Sequence, residues 1–310
     1  MSDCLIVIPA RFKSTRLPGK PLRKICGEAM IKKVYRKCVA TGLDTVVATD
    51  NYRIVQECRD NGMEFVMTSE HCLTGTDRVA EAASKKTKQY TGYINVQGDE
   101  PFVNSTDILK IAKEMTPRVF NRKTDEVFCG MSRITEKEQY YSPHVPKVVF
   151  NQDKPDHSGL LRYISRAPIP AVKEGYDWPK ENAWKQVCIY GFKGWHLKQF
   201  AEQKEKTALE FVEDIEILRF LEMGVAVRMI MIEGSPMSVD TEEDLKKADD
   251  LAKKLNPNSW KLWKLKKMKN TKSTFIYVMK KVNLYIHPDR IYFSLLRSFF
   301  CICQMRILRK

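Results

Sequence analysis

The segment after the first apolar run has the residue types that a polyphosphate requires. Residues 11–20 (RFKSTRLPGK) contain four cations, two hydroxyls and a glycine, and they directly follow the strand-like run CLIVIP at residues 4–9. Ligands of open α/β sheets bind outside the carboxyl ends of strands, where this loop would lie. The spacing matches neither a Walker P-loop nor a dinucleotide-binding fingerprint. The alternative interpretation is an ordinary solvated basic loop.

Carboxylates follow two other strand-like runs. Asp99 and Glu100 come after residues 93–97, and Asp240 comes after residues 225–232. Oxygen ligands at strand ends suit Mg²⁺, which also takes ligands from substrate phosphate. A plain turn is the alternative for the first pair, and an N-cap role is the alternative for Asp240. Thr241 and Asp244 have the spacing of a capping box, which would leave Asp240 just outside the helix.

The net charge of +15 is unevenly distributed along the 310 residues. Residues 251–310 contain 15 lysines and arginines but one acid, a charge of +14 that leaves +1 for the rest of the chain. We therefore expect no nucleic-acid binding by the main domain. The nine cysteines are scattered, and the sequence shows neither a signal peptide nor a run long enough to span a bilayer, which predicts a cytoplasmic protein without disulfides.

Strand-like and helix-like segments alternate over the first 250 residues, which predicts an α/β fold with a doubly wound, mostly parallel sheet. Residues 126–192 contain several strand-like runs without long helices between them, so we expect an inserted antiparallel lid there. Residues 208–222 read as one amphipathic helix, and a further helix closes the domain at residue 255.

Residues 256–310 form a basic tail with interleaved aromatic side chains, and we predict a domain boundary at 255/256. Such a segment could lie on an anionic membrane surface, bind nucleic acid, or be an extension without a separate role. The sequence does not decide among these three.

The order of the motifs resembles that of one family, the CMP-KDO synthetases (3-deoxy-manno-octulosonate cytidylyltransferases). The resemblance covers about residues 4–250 and rests on nine blocks in the family's order. They are IPARFKSTRLPGKPL, VVATD, HCLTGTDRVAEA, INVQGDEPF, KVVF, ISRAPIP, CIYGF, LEFVEDIEILRFLEMG and VDTEEDL.

The resemblance implies a function and a role for each matched position. Such enzymes transfer CMP from CTP to the anomeric hydroxyl of an acidic sugar and release pyrophosphate, with Mg²⁺ as cofactor and usually as homodimers. The implied nucleotide-binding residues are Ala10, Arg11, Ser14, Arg16, Lys20, Thr74, Gly75 and Arg78. The implied catalytic residues are Arg11, Lys20, Asp99 and Asp240, of which Asp99 and Asp240 hold the metal. The implied sugar-binding residues are Gln97, Arg166, Gln186, Tyr190 and Glu213.

Three positions depart from the family pattern. Gln186 replaces a sugar-contacting histidine, Ile217 replaces a glutamine, and Pro146 replaces a β-branched residue. Glutamine cannot carry a positive charge and isoleucine cannot hydrogen-bond, so a related acidic sugar, such as an amino-KDO or a sialic-type acid, is an alternative substrate. A non-catalytic membrane- or nucleic-acid-binding protein on this scaffold is the second alternative.

Overall fold

The computed structural model describes residues 3–115, 126–153, 155–173, 177–235 and 237–255. The predicted tail at 256–310 lies outside the described residues, so the predicted domain boundary and the role of the tail stay predictions. In the part of the chain that is described, no helix combines the length and the hydropathy that a membrane crossing requires.

Eleven strands and nine α-helices occur in the described ranges. The strands are β1 (Cys4–Ala10), β2 (Lys24–Ile25), β3 (Glu28–Ala29), β4 (Asp44–Thr49), β5 (Phe65–Met67), β6 (Gly92–Val96), β7 (Glu126–Arg133), β8 (Lys147–Gln152), β9 (Gly159–Ser165), β10 (Trp184–Phe192) and β11 (Ala226–Met231). The helices are α1 (Met30–Val39), α2 (Tyr52–Asp60), α3 (Gly75–Ser84), α4 (Ser105–Met115), α5 (Lys137–Tyr141), α6 (Gly194–Glu202), α7 (Ala208–Glu213), α8 (Ile217–Glu222) and α9 (Glu242–Leu255).

Nine strands form one sheet in the order β5-β4-β1-β6-β10-β7-β11-β9-β8. The first four are parallel, β7 and β11 are parallel to each other, and only β10 and β9 run against the remaining strands of this sheet. The α/β class with a mostly parallel sheet is confirmed. Parallel strands that share a direction end at one edge of the sheet, where their loops can meet.

The antiparallel segment at 126–192 is part of this sheet. β8 and β9 form an antiparallel pair at one edge, where the predicted lid would be. β10 instead lies between β6 and β7, in the middle of the sheet. With β10 on one side and β11 on the other, both edges of β7 are hydrogen-bonded, as expected of a strand that is buried along seven consecutive residues. The segment thus supplies both the edge pair and the junction of the two parallel halves.

The two faces of the sheet are covered by different helices, as a doubly wound fold requires. Side chains alternate between the faces along a strand. Leu5 and Val7 of β1 pack with residues of α3, α6 and α8, whereas Ile6 and Ile8 pack with residues of α1, α2 and α4. Both faces of β1 are therefore buried, and the loop after it is held from both sides.

The single helix predicted for residues 208–222 is wrong. Two short helices, α7 and α8, occupy this range, and Asp214 between them adopts a left-handed conformation with φ of 49°. The backbone carbonyls of Glu213 and Asp214 accept hydrogen bonds from the Arg166 guanidinium at 2.5 and 3.1 Å. These tertiary contacts use carbonyls that a continuous helix would need for its own hydrogen bonds, which explains the break.

Candidate active site

The basic loop after β1 is a closed, anchored turn. The backbone N–H of Gly19, whose φ is 64°, donates to the carbonyl of Phe12 at 3.3 Å and closes the loop. Inside it, the N–H of Leu17 donates to Ser14 Oγ at 3.3 Å, and the Leu17 side chain is fully buried. This anchoring leaves Arg11 and Arg16 at the surface while Ala10 is buried in β1. The turn therefore presents cations from a fixed backbone.

Asp99 lies beside this loop because of the glycine before it. A Cβ on Gly98 would lie 2.9 Å from the carbonyl oxygen of Pro9, so only glycine allows the loop after β6 to approach the end of β1 so closely. The backbone carbonyl of Asp99 accepts a hydrogen bond from the N–H of Val239 at 3.1 Å. A single backbone contact thus joins the loop that carries Asp99 to the loop that carries Asp240.

We expect Gly98→Ala to lower activity more than it lowers stability. The new methyl group must push the Asp99 loop away from Pro9, and misplacement by about 1 Å can cost about 100-fold in rate. Steady-state kinetics and thermal unfolding measure the two effects. Gly194→Ala is the matched control, since its nearest contact would be a Tyr93 ring carbon at 3.7 Å. Full activity of Gly98→Ala would contradict the assigned close approach.

Asp240 lies just before α9 and is free of the helix cap. Thr241 and Asp244 form the predicted capping box, with the Asp244 N–H donating to Thr241 Oγ1 at 3.1 Å and the Thr241 N–H donating to Asp244 Oδ2 at 3.0 Å. The Asp240 N–H also donates to Asp244, at 3.2 Å. The Asp240 side chain is consequently not used for capping and points to the basic loop.

The two carboxylates meet at the Lys20 ammonium. Lys20 Nζ lies 2.7 Å from Asp99 Oδ2 and 2.9 Å from Asp240 Oδ1, so these oxygens are at most 5.6 Å apart. Arg16 Nη2 lies 3.1 Å from the same Asp240 oxygen. Burial opposes the charge of Lys20, but the two carboxylates outweigh burial and raise its pKa. The site therefore holds cations next to two carboxylates that belong to distant parts of the chain.

This donor set fits a divalent metal that also binds substrate. Two carboxylates within reach of one cation are hard oxygen ligands of the kind that Mg²⁺ prefers. Within the described ranges, no cluster of three or more His, Cys, Asp or Glu residues could hold a metal. An ion held by Asp99 and Asp240 would therefore complete its coordination with phosphate oxygens and water.

Glu100 is a buried carboxyl behind this pair. Its side chain is 9% exposed, and Oε2 has no hydrogen-bond partner among the described residues. Burial, followed by the charge of Asp99, raises the pKa of Glu100 to about 8. At neutral pH the group is thus largely protonated, and the Asp99–Asp240 pair is not joined by a third full charge.

We expect Glu100→Gln to stabilise the protein increasingly as pH rises. The unfolded chain loses the Glu100 proton near pH 4.5, whereas the folded chain keeps it until about pH 8, so the native state loses stability across this interval. A neutral amide removes this penalty, which is roughly 5 kcal/mol above pH 8 and almost nothing near pH 4. Urea unfolding at several pH values, without nucleotide or metal, measures this difference in the free energy of unfolding. The exposed Glu138→Gln is the control, and a pH-independent gain would contradict the assignment.

The start of α3 lies next to the predicted sugar residue Gln97. A Cβ on Gly75 would lie 3.0 Å from Gln97 Nε2, so Gly75 permits this contact. Arg78 is buried, and its terminal nitrogens donate to Thr68 Oγ1 at 2.6 Å and to Asp50 Oδ2 at 2.9 Å. Arg78 therefore links the residues that follow β4 and β5, and the nucleotide-binding roles predicted for Thr74, Gly75 and Arg78 stay predictions.

Arg166 and Glu213 form a second cluster. Glu213 accepts from Ser165 Oγ at 2.5 Å and from the Arg166 N–H at 2.8 Å, and the Arg166 guanidinium binds backbone carbonyls. Beneath them the fully buried Lys147 donates to the carbonyls of Ser142 and Arg166 at 2.8 and 2.5 Å. Burial lowers the pKa of Lys147 to about 8.

The third cluster contains a residue that the sequence analysis missed. Glu216 accepts from the Thr76 N–H at 2.9 Å and from Gln97 Nε2 at 3.1 Å, so it joins the start of α3 to Gln97. Burial raises the pKa of Glu216. The signal is in the sequence, since Glu216 is the fourth acid of the quoted LEFVEDIEI block.

The three residues that depart from the family pattern differ in the contacts they make. Gln186 Nε2 donates to Tyr190 Oη at 3.1 Å, so the substituted residue contacts another predicted sugar residue. Ile217 is 1% exposed and packs in the core, where it offers no polar contact. Pro146 precedes β8, and its carbonyl accepts from the Gln186 N–H at 3.0 Å. Of these three side chains, that of Gln186 is the one with a described hydrogen bond to another predicted sugar residue.

The described contacts join the predicted residues into separate groups. Arg16, Lys20, Asp99 and Asp240 form one group, Arg166 and Glu213 another, and Gln186 and Tyr190 a third. A hydrogen bond from Lys206 is the main cause that lowers the pKa of Asp214, next to Glu213, and the charge of Arg11 adds a small contribution, so Arg11 lies within electrostatic reach of the second group.

Comparison with known proteins identifies the family to which this chain belongs. Residues 5–230 match the family model described as Cytidylyltransferase. The chain belongs to the cytidylyltransferases. It is 36% identical over 251 residues to the 3-deoxy-manno-octulosonate cytidylyltransferase of Porphyromonas gingivalis, covering 80% of this chain and 95% of that protein. It is also 36% identical over 254 residues to the mitochondrial enzyme of that name from Arabidopsis thaliana, covering 81% and 83%. The family resemblance drawn from the motifs is confirmed.

Solved structures agree with this cytidylyltransferase assignment. A CMP:2-keto-3-deoxy-manno-octonic acid synthetase complexed with CTP matches with a TM-score of 0.72 and 31% identity, over 82% of this chain and 99% of that one. A 4-diphosphocytidyl-2C-methyl-D-erythritol synthase from Anaerococcus prevotii matches with a TM-score of 0.52 at 13% identity, which supports the fold alone.

Proposed function

We propose that this cytidylyltransferase transfers CMP from CTP to the anomeric hydroxyl of 3-deoxy-manno-octulosonate and releases pyrophosphate. The observation that carries the proposal is the meeting of Asp99 and Asp240 at Lys20, beside the anchored basic loop. The names of the relatives supply the substrate, and the CTP-bound structural neighbour supplies the nucleotide.

The reaction needs position and charge more than a strong base. The sugar hydroxyl oxygen forms a bond to the α-phosphorus, the bond from that phosphorus to the bridging oxygen breaks, and the hydroxyl proton passes to water. Arg11, Ser14 and Arg16 would bind the triphosphate, and Lys20 would neutralise the transferring group once substrate draws it from the two acids. Thr74 and Gly75 would contact the cytidine side.

Mg²⁺ is the cofactor in this proposal, held by Asp99 and Asp240. When bound, it would lower the pKa of the sugar hydroxyl and offset charge on the transferring phosphoryl group. The acids hold an ammonium in the described structure, which shows that the position favours a cation.

Gln97, Arg166, Gln186, Tyr190 and Glu213 would bind the sugar. A related acidic sugar is the second candidate substrate, favoured by one observation, the Gln186–Tyr190 hydrogen bond at a position where the resemblance implies histidine. A neutral amide would bind a sugar hydroxyl differently from a ring that can carry charge.

The test is pyrophosphate release with CTP and Mg²⁺ on a panel of sugars. We expect release with 3-deoxy-manno-octulosonate and little with ATP, GTP or UTP in place of CTP. Faster turnover of an amino-KDO or of N-acetylneuraminate would move the substrate assignment to that sugar. No release with any sugar would refute the enzyme proposal and favour a non-catalytic scaffold.

We also propose a homodimer. Phe211 and Val212 of α7 are adjacent and are 73% and 79% exposed, which is unusual for apolar side chains without a partner. Light scattering measures the mass in solution, and Phe211→Asp should give a monomer. Tyr52→Asp, at a residue that is 76% exposed on α2, is the control and should not change the mass.

A further inference from the structure

The beginnings of α3 and α7 are each capped by an acid that also binds a common arginine. In α3 the Asp77 carboxylate accepts from the Thr74 N–H at 2.8 Å and from Thr74 Oγ1 at 2.7 Å. In α7 the Glu210 carboxylate accepts from the Thr207 N–H at 3.2 Å. Arg219 of α8 reaches both carboxylates.

All five N–H groups of Arg219 are used inside the protein. Nε and Nη2 donate to Glu210 at 2.6 and 2.7 Å, Nη1 and Nη2 donate to Asp77 at 2.9 and 3.4 Å, and Nη1 also donates to the Phe200 carbonyl at 3.2 Å. The guanidinium lies 3.7 Å from the centroid of the Phe200 ring. Its side chain has no exposed surface, and that of Glu210 is 1% exposed.

The planar guanidinium of Arg219 binds both carboxylates through a rigid set of N–H donors, and such a link transmits a displacement of one carboxylate to the other. The planar guanidinium holds each acid in a fixed direction, so a shift at one capped helix end changes the contacts at the other. α3 begins at Thr74 and Gly75, on the side proposed to bind cytidine. α7 ends at Glu213, which is proposed to bind the sugar. Glu216, at the start of α8, makes a second connection to the Thr76 N–H.

We infer that Arg219 is a positioning residue that couples nucleotide binding at the start of α3 to the sugar-binding end of α7. This inference rests on the proposed function. CTP would order the start of α3 and, through Asp77, Arg219 and Glu210, hold α7 with Glu213 in place before the sugar binds. Arg219 touches neither substrate in this account.

Hydrogen exchange with CTP and Mg²⁺, without sugar, separates this coupling from binding itself. In the unchanged protein we expect CTP to slow exchange at residues 75–79 of α3 and at residues 208–213 of α7. In Arg219→Lys, which keeps a charge but loses the fork, protection of α3 should remain and protection of α7 should fall to that of the nucleotide-free protein. Protection of α7 that survives in Arg219→Lys would overturn the inference.

Arg228→Lys is the matched control. Arg228 is also buried, binds Glu126 at 2.7 Å and Asp153 at 2.8 Å, and lies in β11 away from both capped helices. Arg228→Lys should be less stable than the unchanged protein, as Arg219→Lys should be. CTP should nevertheless still slow hydrogen exchange in both α3 and α7 of Arg228→Lys. If both variants lost protection of α7 equally, the role of Arg219 would be structural only.

Kinetics give a second readout. We expect Arg219→Lys to raise the KM for the sugar about tenfold, within the range typical of coupling between sites, and to change the Kd for CTP measured without sugar less than threefold. If Arg219→Lys does not fold, Asp77→Asn serves, because the amide NH2 replaces one carboxylate oxygen and cannot accept the hydrogen bond that Arg219 Nη1 donates to Asp77 Oδ1 while Oδ2 accepts from Thr74. If CTP failed to slow exchange in α3 of the unchanged protein, the proposed function would be refuted. If CTP slowed exchange in α3 of the unchanged protein but not in α7, only the coupling would be refuted.

Discussion

Asp99→Asn and Asp240→Asn should each lower kcat/KM by about 10³-fold or more. Each change removes one of two carboxylates that meet at a single cation, and metal stabilisation of phosphoryl transfer is worth several kcal/mol, with about 1.4 kcal/mol for each factor of ten. The volume of the side chain hardly changes. Pyrophosphate release at increasing Mg²⁺ measures the loss, and a higher Mg²⁺ requirement should accompany it.

Asp250→Asn is the control for these two variants. Asp250 lies on α9, ten residues after Asp240, and its side chain is 68% exposed in an ion pair with Lys253. It should keep full activity. An Asp99→Asn or Asp240→Asn variant with normal turnover at low Mg²⁺ would refute the metal assignment, even though the two side chains lie together.

Lys20→Met should lower kcat by about 10²–10³-fold, the cost typical of losing one preorganised donor to a developing charge. Methionine is unbranched and one atom shorter than lysine, so the loop that Leu17 anchors should keep its shape. Loss of the ammonium also removes the one cation that contacts both Asp99 and Asp240 among the described residues, while Arg16 still contacts Asp240, so the variant should bind Mg²⁺ no more weakly than the unchanged protein. Single-turnover kinetics with saturating CTP isolate the chemical step.

The exposed Lys24→Met is the matched control, because it removes the same charge from the neighbouring hairpin. It should leave kcat within about twofold, as expected for a surface change away from the site. If Lys20→Met raised only the KM for CTP and left kcat unchanged, Lys20 would bind the ground state and have no special role in the transition state.

Local patterns in the sequence predicted the elements that carry the metal acids. The apolar runs gave β1, β6 and β11, and the Thr241–Asp244 capping box fixed where α9 starts and left Asp240 free. These features depend on neighbours within a few residues, so one sequence is enough to find them.

Tertiary contacts decided what the sequence did not reveal. α7 and α8 separate at Asp214 because Arg166, nearly fifty residues earlier in the chain, binds the carbonyls there. Arg219 lies 9 positions from its partner Glu210 but 142 positions from its partner Asp77. No local spacing encodes such pairs, and helix periodicity favours a continuous helix in the same range.

The position of β10 makes assembly of this domain a late event in synthesis. β10 ends at Phe192 and separates the parallel strands β5-β4-β1-β6 from β7 and β11, so the two halves share one sheet only after it inserts. Arg16 and Asp240, which are in contact, are 224 positions apart. Such high contact order slows folding, and a nascent chain that lacks β10 exposes the edge of β6 to other chains. A ribosome must therefore release nearly the whole domain before its catalytic acids can meet, and shorter products would be prone to aggregate.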